Sequence, residues 1–237
     1  MNLAAIAESL PTYWAGLLTT LELLALALVF GLAAALPLGV MRASSRRWLG
    51  VPIGAPVWLY TYVIRGTPLL VQLFLVYYGL AQFEALRASA LWPWFASPWF
   101  CAVLAFALNT CAYTTEMIAG AIRATPHGEV EAARSLGMSW ALLMRRIVLP
   151  SALRRCLPAY SNEVIMMLHA TSLASVVTLL DLTGAAREMN SRFYLPFEAF
   201  VTAALFYLLL TFALVAAFRR AEARWLAHLN SHLRPRR

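Results

Sequence analysis

The sequence predicts an all-α membrane protein with five transmembrane helices and a polar helical hairpin between the third and the fourth. Three observations carry this reading. Of 237 residues, 62% are hydrophobic and 13% charged, against about 25% charged in an ordinary soluble domain. Apolar runs recur that reach the roughly 20 helical residues needed to cross about 30 Å of hydrocarbon. The basic residues, every one an arginine, collect in alternate connections between those runs. In lipid each backbone N–H and C=O must pair within its own segment, so the runs are helices.

The five runs lie at 14–40, 57–80, 99–122, 158–180 and 199–218. The second contains Pro68, which breaks a helix, with Arg65 just before it. The connection after it, 84–98, is rich in Trp and Pro and suits the membrane–water interface. Arg42, Arg46 and Arg47 follow the first run. Arg123, Arg134, Arg145, Arg146, Arg154 and Arg155 follow the third, and Arg219, Arg220, Arg224, Arg234, Arg236 and Arg237 follow the fifth. The other two connections hold Arg87, and Arg187 with Arg192, the latter pair offset by Asp181, Glu188 and Glu198. The arginine-rich connections belong on the cytoplasmic side. This predicts a multi-pass protein of a bacterial inner membrane with a periplasmic N-terminus and a cytoplasmic C-terminus.

Several function classes drop out. The net charge of +8 reflects topology rather than nucleic acid, because the arginines sit at span ends. With no lysine the chain cannot build a phosphate-binding P-loop, so any nucleotide energy must come from another polypeptide. Cys101, Cys111 and Cys156 form no CxxC pair, and no histidines stand at ligand spacing, so neither a metal nor a redox centre is expected. No leader is expected either, since the segment before Trp14 lacks a basic start.

The hairpin occupies 126–150. Thr125 and Pro126 suit the start of a helix that runs to about Leu136. Gly137 supplies the left-handed residue that stops it. Ser139 caps a second short helix through Val148, with Trp140, Leu143, Met144 and Ile147 on one stripe, and Pro150 ends that helix or opens the next span. Ala132 and Ala133 give the first helix a smooth face. Composition alone leaves two uses open: a hairpin resting on the membrane surface, or a docking handle for a partner.

The order Glu131-Ala132-Ala133, then Gly137, then Ile147, Leu149 and Pro150 resembles the EAA signature of ABC importer permeases. Residues 65–80 (RGTPLLVQLFLVYYGL), 109–134 and 149–175 resemble the polar amino-acid permease family. Within it they are similar to the M-type permease subunit of the histidine/lysine/arginine/ornithine importer. The resemblance implies the type I importer permease fold, with Glu131, Ala132, Ala133 and Gly137 forming the coupling segment that docks on an ATPase. It implies a non-catalytic subunit with no cofactor of its own, ATP and Mg being held by the ATPase. The implied partners are a second, Q-type permease, two copies of the ATPase and a periplasmic amino-acid-binding protein.

Ionisable residues inside a span face a partner or a water-filled path. Asn109, Tyr113, Glu116 and Gly120 share one face of the third run, and Glu163, Met166, Met167 and Ala170 share one face of the fourth. Glu116 and Glu163 fall at similar depths, so the expected substrate path is lined by Glu163, Glu116, Asn109, Tyr113 and Met167. Two carboxylates there suit a cationic amino acid. Two further readings stand beside this. Glu116 is acidic across the wider family that the chain resembles, which favours an architectural pair with Arg123. Glu163 stands where that family carries a neutral amide, which favours a role in substrate charge. Arg65 is expected to serve the broken helix, and His169 to meet either substrate or a neighbouring helix. Glu22 is expected to face a partner subunit. The alternative function is a stand-alone secondary transporter of cationic amino acids, which would call for repeats not visible here.

Overall fold

The computed structural model describes residues 2–44, 47–48 and 51–225. The sequence expectations for Arg46, His228, His232, Arg234, Arg236 and Arg237 lie outside the described residues. Among the described residues ten helices follow in order: α1 (Leu3–Ala43), α2 (Gly54–Gly66), α3 (Leu69–Gln82), the short α4 (Glu84–Arg87) and α5 (Trp92–Phe95), α6 (Pro98–Arg123), α7 (His127–Ser135), α8 (Trp140–Val177), α9 (Leu182–Phe193) and α10 (Pro196–Trp225). A two-residue antiparallel pairing, Arg47–Trp48 with Val51–Pro52, closes the turn between α1 and α2.

Of these, α1, α6 and α10 are long and apolar enough to cross a membrane alone. Counting α2 with α3, and α8 with α9, as bent spans brings the number to five. The second run is therefore not one straight helix: its halves meet at 104° around Thr67–Pro68. The first run is also longer than 14–40. Asn2 caps α1 by accepting from the Ala5 N–H at 3.3 Å, and the helix spans 41 residues. At about 1.5 Å per residue it exceeds the roughly 30 Å hydrocarbon thickness twofold.

Small residues decide how α1 meets α6. Ala27, Gly31, Ala35 and Gly39 recur every fourth position and are buried, so the two backbones approach closely. A Cβ on Gly31 would stand 2.4 Å from Thr110 Cγ2, and one on Gly39 2.7 Å from Ile118 Cγ2. Both contacts advance together along the two helices, so α1 and α6 run parallel. Around this pair, Leu23, Leu24, Leu73, Phe106, Leu168 and Val177 form the main core where α1, α3, α6 and α8 converge.

The segment after the fourth run, expected as a connection, is the helix α9. Asp181 caps it, accepting from Thr183 N–H at 3.2 Å, Gly184 N–H at 2.9 Å and the Tyr207 hydroxyl at 3.1 Å. This polar helix packs on the first turns of α1 and α10. Tyr13 donates to the Ala199 carbonyl at 2.7 Å, and Arg192 pairs with Glu8 at 2.9 Å. The overrun of α1 is thus clad in helix at the end remote from the arginine-rich connections.

Candidate functional site

The break between α2 and α3 builds one wall of the site. Pro68 has no N–H, so the Ile64 carbonyl four residues earlier loses its helical donor. Gln72, one turn beyond the break, replaces it. Its Nε2 lies 2.7 Å from the Ile64 carbonyl, 3.0 Å from the Thr67 carbonyl and 2.9 Å from Thr67 Oγ1. The Gln72 carbonyl oxygen then accepts from Asn109 Nδ2 at 3.1 Å, which ties the break to α6. The freed Ile64 carbonyl is therefore served by Gln72, and not by Arg65 as the sequence suggested. Arg65 instead lays its guanidinium over the Tyr113 ring, 5.1 Å from the centroid.

Beside this break lies a hollow of about 580 Å³ between α2–α3, α6 and α8. Asn109, Tyr113, Glu163 and Met167 all line it, together with Arg65 and Asn162. Glu163 is only 5% exposed, so its carboxylate reaches solvent only through the hollow. One cationic and one anionic side chain thus face a common space deep within the spans. A larger groove, about 680 Å³, lies between α1, α5 and α6, but its walls are apolar apart from Ser97. It offers nothing to a charged ligand.

Glu116 does not line the hollow, which corrects the expected path. Its Oε1 accepts from Arg42 Nε at 2.7 Å and from Thr61 Oγ1 at 2.7 Å. Arg123 stands farther off, 3.9 Å from Oε2, so Arg42 rather than Arg123 is its main partner. The helical spacing placed Glu116 on the correct face of α6. What spacing could not include is α2, whose buried Thr61 covers that face one turn below the hollow. The carboxylate locks α1, α2 and α6 together at their arginine-rich end. His169 meets Thr211 of α10 at 3.0 Å and is absent from the hollow's lining. Glu22 is exposed on α1.

The hairpin differs from expectation in its second arm. The first helix, α7, ends at Ser135 with Leu136 as its C-cap, and Gly137 takes φ +74°. Two crossed bonds close the turn, Gly137 N–H to the Arg134 carbonyl at 2.9 Å and Met138 N–H to the Ala133 carbonyl at 3.2 Å. This is the Schellman pattern. Ser139 then accepts from the Leu142 N–H at 3.4 Å. The second arm is not a separate short helix, because it runs through Pro150 without a break as the start of α8. A π-type turn at Met144–Val148 absorbs the missing proline N–H. Ala133 is buried against Leu143 and Val148, so it holds the two arms together. Glu131, Ala132 and Gly137 are exposed. Leu136, which the sequence reading took only as the end of the helix, is 82% exposed at the hairpin tip. Its position just before the turn glycine was the available signal.

A family model, the inner membrane component of binding-protein-dependent transport systems, matches residues 27–226. The chain belongs to this family. Among curated relatives of this inner-membrane component, the histidine/lysine/arginine/ornithine transport system permease protein HisM of Salmonella typhimurium is 52% identical over 217 residues, 91% of each chain. The nopaline transport system permease protein NocM of Agrobacterium fabrum is 45% identical over all of this chain and 95% of its own length. Among solved structures, an amino acid ABC transporter crystallised with histidines superposes with a TM-score of 0.83 at 36% identity, over 94% of this chain and 99% of the other. The MetNI methionine ABC transporter shares the fold, with a TM-score of 0.74 at 17% identity over 90% and 96% of the two chains. The bent second span and the hairpin thus belong to an ABC-importer permease.

Proposed function

We propose that this permease carries cationic amino acids, of the histidine, lysine, arginine and ornithine class, through the hollow at Glu163. The observation that carries the reading is the pairing of opposite charges there. Glu163 is buried and faces the hollow, while Arg65 lines the same space from the break. A cationic amino acid has a carboxylate for Arg65 and a positive side chain for Glu163, and Asn109 and Tyr113 add polar contacts. Met167 supplies an apolar wall for the aliphatic stem. An anionic side chain would meet Glu163 with like charge and be disfavoured. The relatives differ in the substrates of their names, so the charge placed in the hollow supports the assignment more than kinship does.

The permease works as one half of a pair with a second, Q-type permease, above two copies of an ATPase that hold ATP and Mg. A periplasmic amino-acid-binding protein delivers substrate. The N-terminus is periplasmic and the C-terminus cytoplasmic, as the arginine distribution supports. Glu131, Ala132, Leu136 and Gly137 form the docking tip for the ATPase, with Ala133 bracing it from within. The tip joins α8, and α8 carries Glu163 and Met167 on the same unbroken helix. Movement of the tip is therefore delivered to the hollow without an intervening joint. The alternative of a stand-alone secondary transporter leaves the hairpin unused and does not fit a binding-protein-dependent family.

Two experiments test this reading. Glu163→Gln keeps the shape of the hollow and removes its charge. A hydrogen bond to a charged group contributes about 1.5–3 kcal/mol and a neutral one about 0.5–1.5, so arginine and lysine should lose about tenfold in uptake. Histidine at about pH 8, with its imidazole neutral, should lose less. Equal loss for all three substrates would make Glu163 structural. A mild-detergent pull-down should recover the ATPase and a second permease, whereas recovery of the ATPase alone would replace the heterodimer with a homodimer.

A further inference from the structure

A second charged concavity lies far from the hollow, on the seam between α8 and α10. It measures about 430 Å³ and is lined by Pro150, Leu153, Arg154, Arg224 and Trp225. Arg154 and Arg224 are both exposed, and among the described residues neither makes an ion pair or hydrogen bond. Two guanidinium groups on different helices therefore face one pocket, and among the described residues no anion neutralises them. The neighbouring Arg155 is used differently: it donates to Thr125 Oγ1 at 2.8 Å. That bond sets this turn of α8 level with the end of α6, where the apolar spans stop.

The level decides the chemistry. The same seam is pinned by His169 and Thr211, and at about 1.5 Å per residue the arginines stand roughly 20 Å farther along it. The pocket thus sits at the membrane–water boundary on the arginine-rich face. Trp225 is 58% exposed there, as suits an indole in the headgroup layer. Leu209 and Phe212 are exposed farther along α10. A soluble anion would need only the arginines, but an apolar floor leading onto a lipid-facing helix suits a ligand with a phosphate and a hydrocarbon tail.

We propose that this pocket binds an anionic phospholipid, its phosphate between Arg154 and Arg224 and its acyl chains along α10. The bound lipid bridges α8, the helix that carries Glu163, to α10. Arginine suits this task because its planar fork of donors matches phosphate oxygens.

The test uses the full transporter complex, delipidated in detergent and examined by native mass spectrometry during titration with dioleoylphosphatidylglycerol. The expected result is preferential retention of phosphatidylglycerol over dioleoylphosphatidylcholine. Arg154→Gln with Arg224→Gln should weaken that retention at least tenfold. Arg219→Gln with Arg220→Gln, which removes the same charge elsewhere on α10, should leave it within twofold. Arg154→Lys should recover part of the loss. Equal retention of the two lipids would overturn the assignment, and so would an equal loss in the Arg219/Arg220 control. Displacement of phosphatidylglycerol by millimolar inorganic phosphate would reassign the pocket to a free anion. Because the readout is lipid retention, failure of the Glu163 substrate reading leaves this test unaffected.

Discussion

Replacing Gln72 by methionine keeps the side chain's length and removes its amide. In the native chain that amide serves the carbonyls of Ile64 and Thr67, and its oxygen holds Asn109. The amide has two protons for three acceptors, so two full donated bonds and one accepted bond are lost. At about 1 kcal/mol net for each, the loss is about 3 kcal/mol. The Ile64 carbonyl retains only a contact from Thr67 Oγ1 at 3.4 Å. Equilibrium unfolding of the purified complex should register that loss, and uptake should fall with it because Asn109 is released into the hollow. The discriminating arm is Pro68→Ala, which restores an N–H to the Ile64 carbonyl. In that background Gln72→Met should cost about 2 kcal/mol, because only the Ile64 bond is replaced, which gives a coupling of about 1 kcal/mol. If the cost is the same in both backgrounds, Gln72 acts by packing alone and the account of the break is wrong.

Three further outcomes follow from named contacts. Gly31→Ala should destabilise the permease by about 1–3 kcal/mol through overpacking, and Thr110→Ser, which deletes the clashing Cγ2, should restore part of the thermal stability; no rescue would point to a wider misfit. Glu116→Gln should lower stability by about 1–3 kcal/mol, given that the pair with Arg42 is partly exposed. It should leave the ratio of arginine to neutral-histidine uptake unchanged, and a shifted ratio would return Glu116 to the substrate path. Gly137→Asp should fold, because a Cβ there meets nothing within 4 Å and the left-handed strain costs only about 1 kcal/mol. ATP hydrolysis should then proceed without uptake, and normal coupled uptake would exclude the tip from docking.

Features set by neighbouring residues were legible in the sequence. Apolar run length, the arginine-rich ends, the Gly137 turn and the Ser139 cap each depend on a few residues of one segment, as do the shared faces of Asn109 with Tyr113 and of Glu163 with Met167. The sequence also marked Pro68 as a break. It did not show that the chain would turn through 104° there, because the alternative partner for Ile64 is a side chain eight residues away that must first fold back. Likewise the α8 helix continues through Pro150 because Ala133 of the preceding arm packs beside Leu143 and Val148, a contact that local propensity does not contain.

The two acids of the spans divide these cases most clearly. The sequence by itself determined that Glu116 and Glu163 would lie inside helices at comparable depth, since 1.5 Å per residue and a 3.6-residue turn are properties of any helix. Only the tertiary structure separated them. Arg42 and Thr61, 74 and 55 residues from Glu116 in the chain, close over its carboxylate, while the broken span holds the space beside Glu163 open. A carboxylate's role is set by the charges and donors brought within hydrogen-bonding distance, and for these two residues that neighbourhood comes from helices distant in sequence.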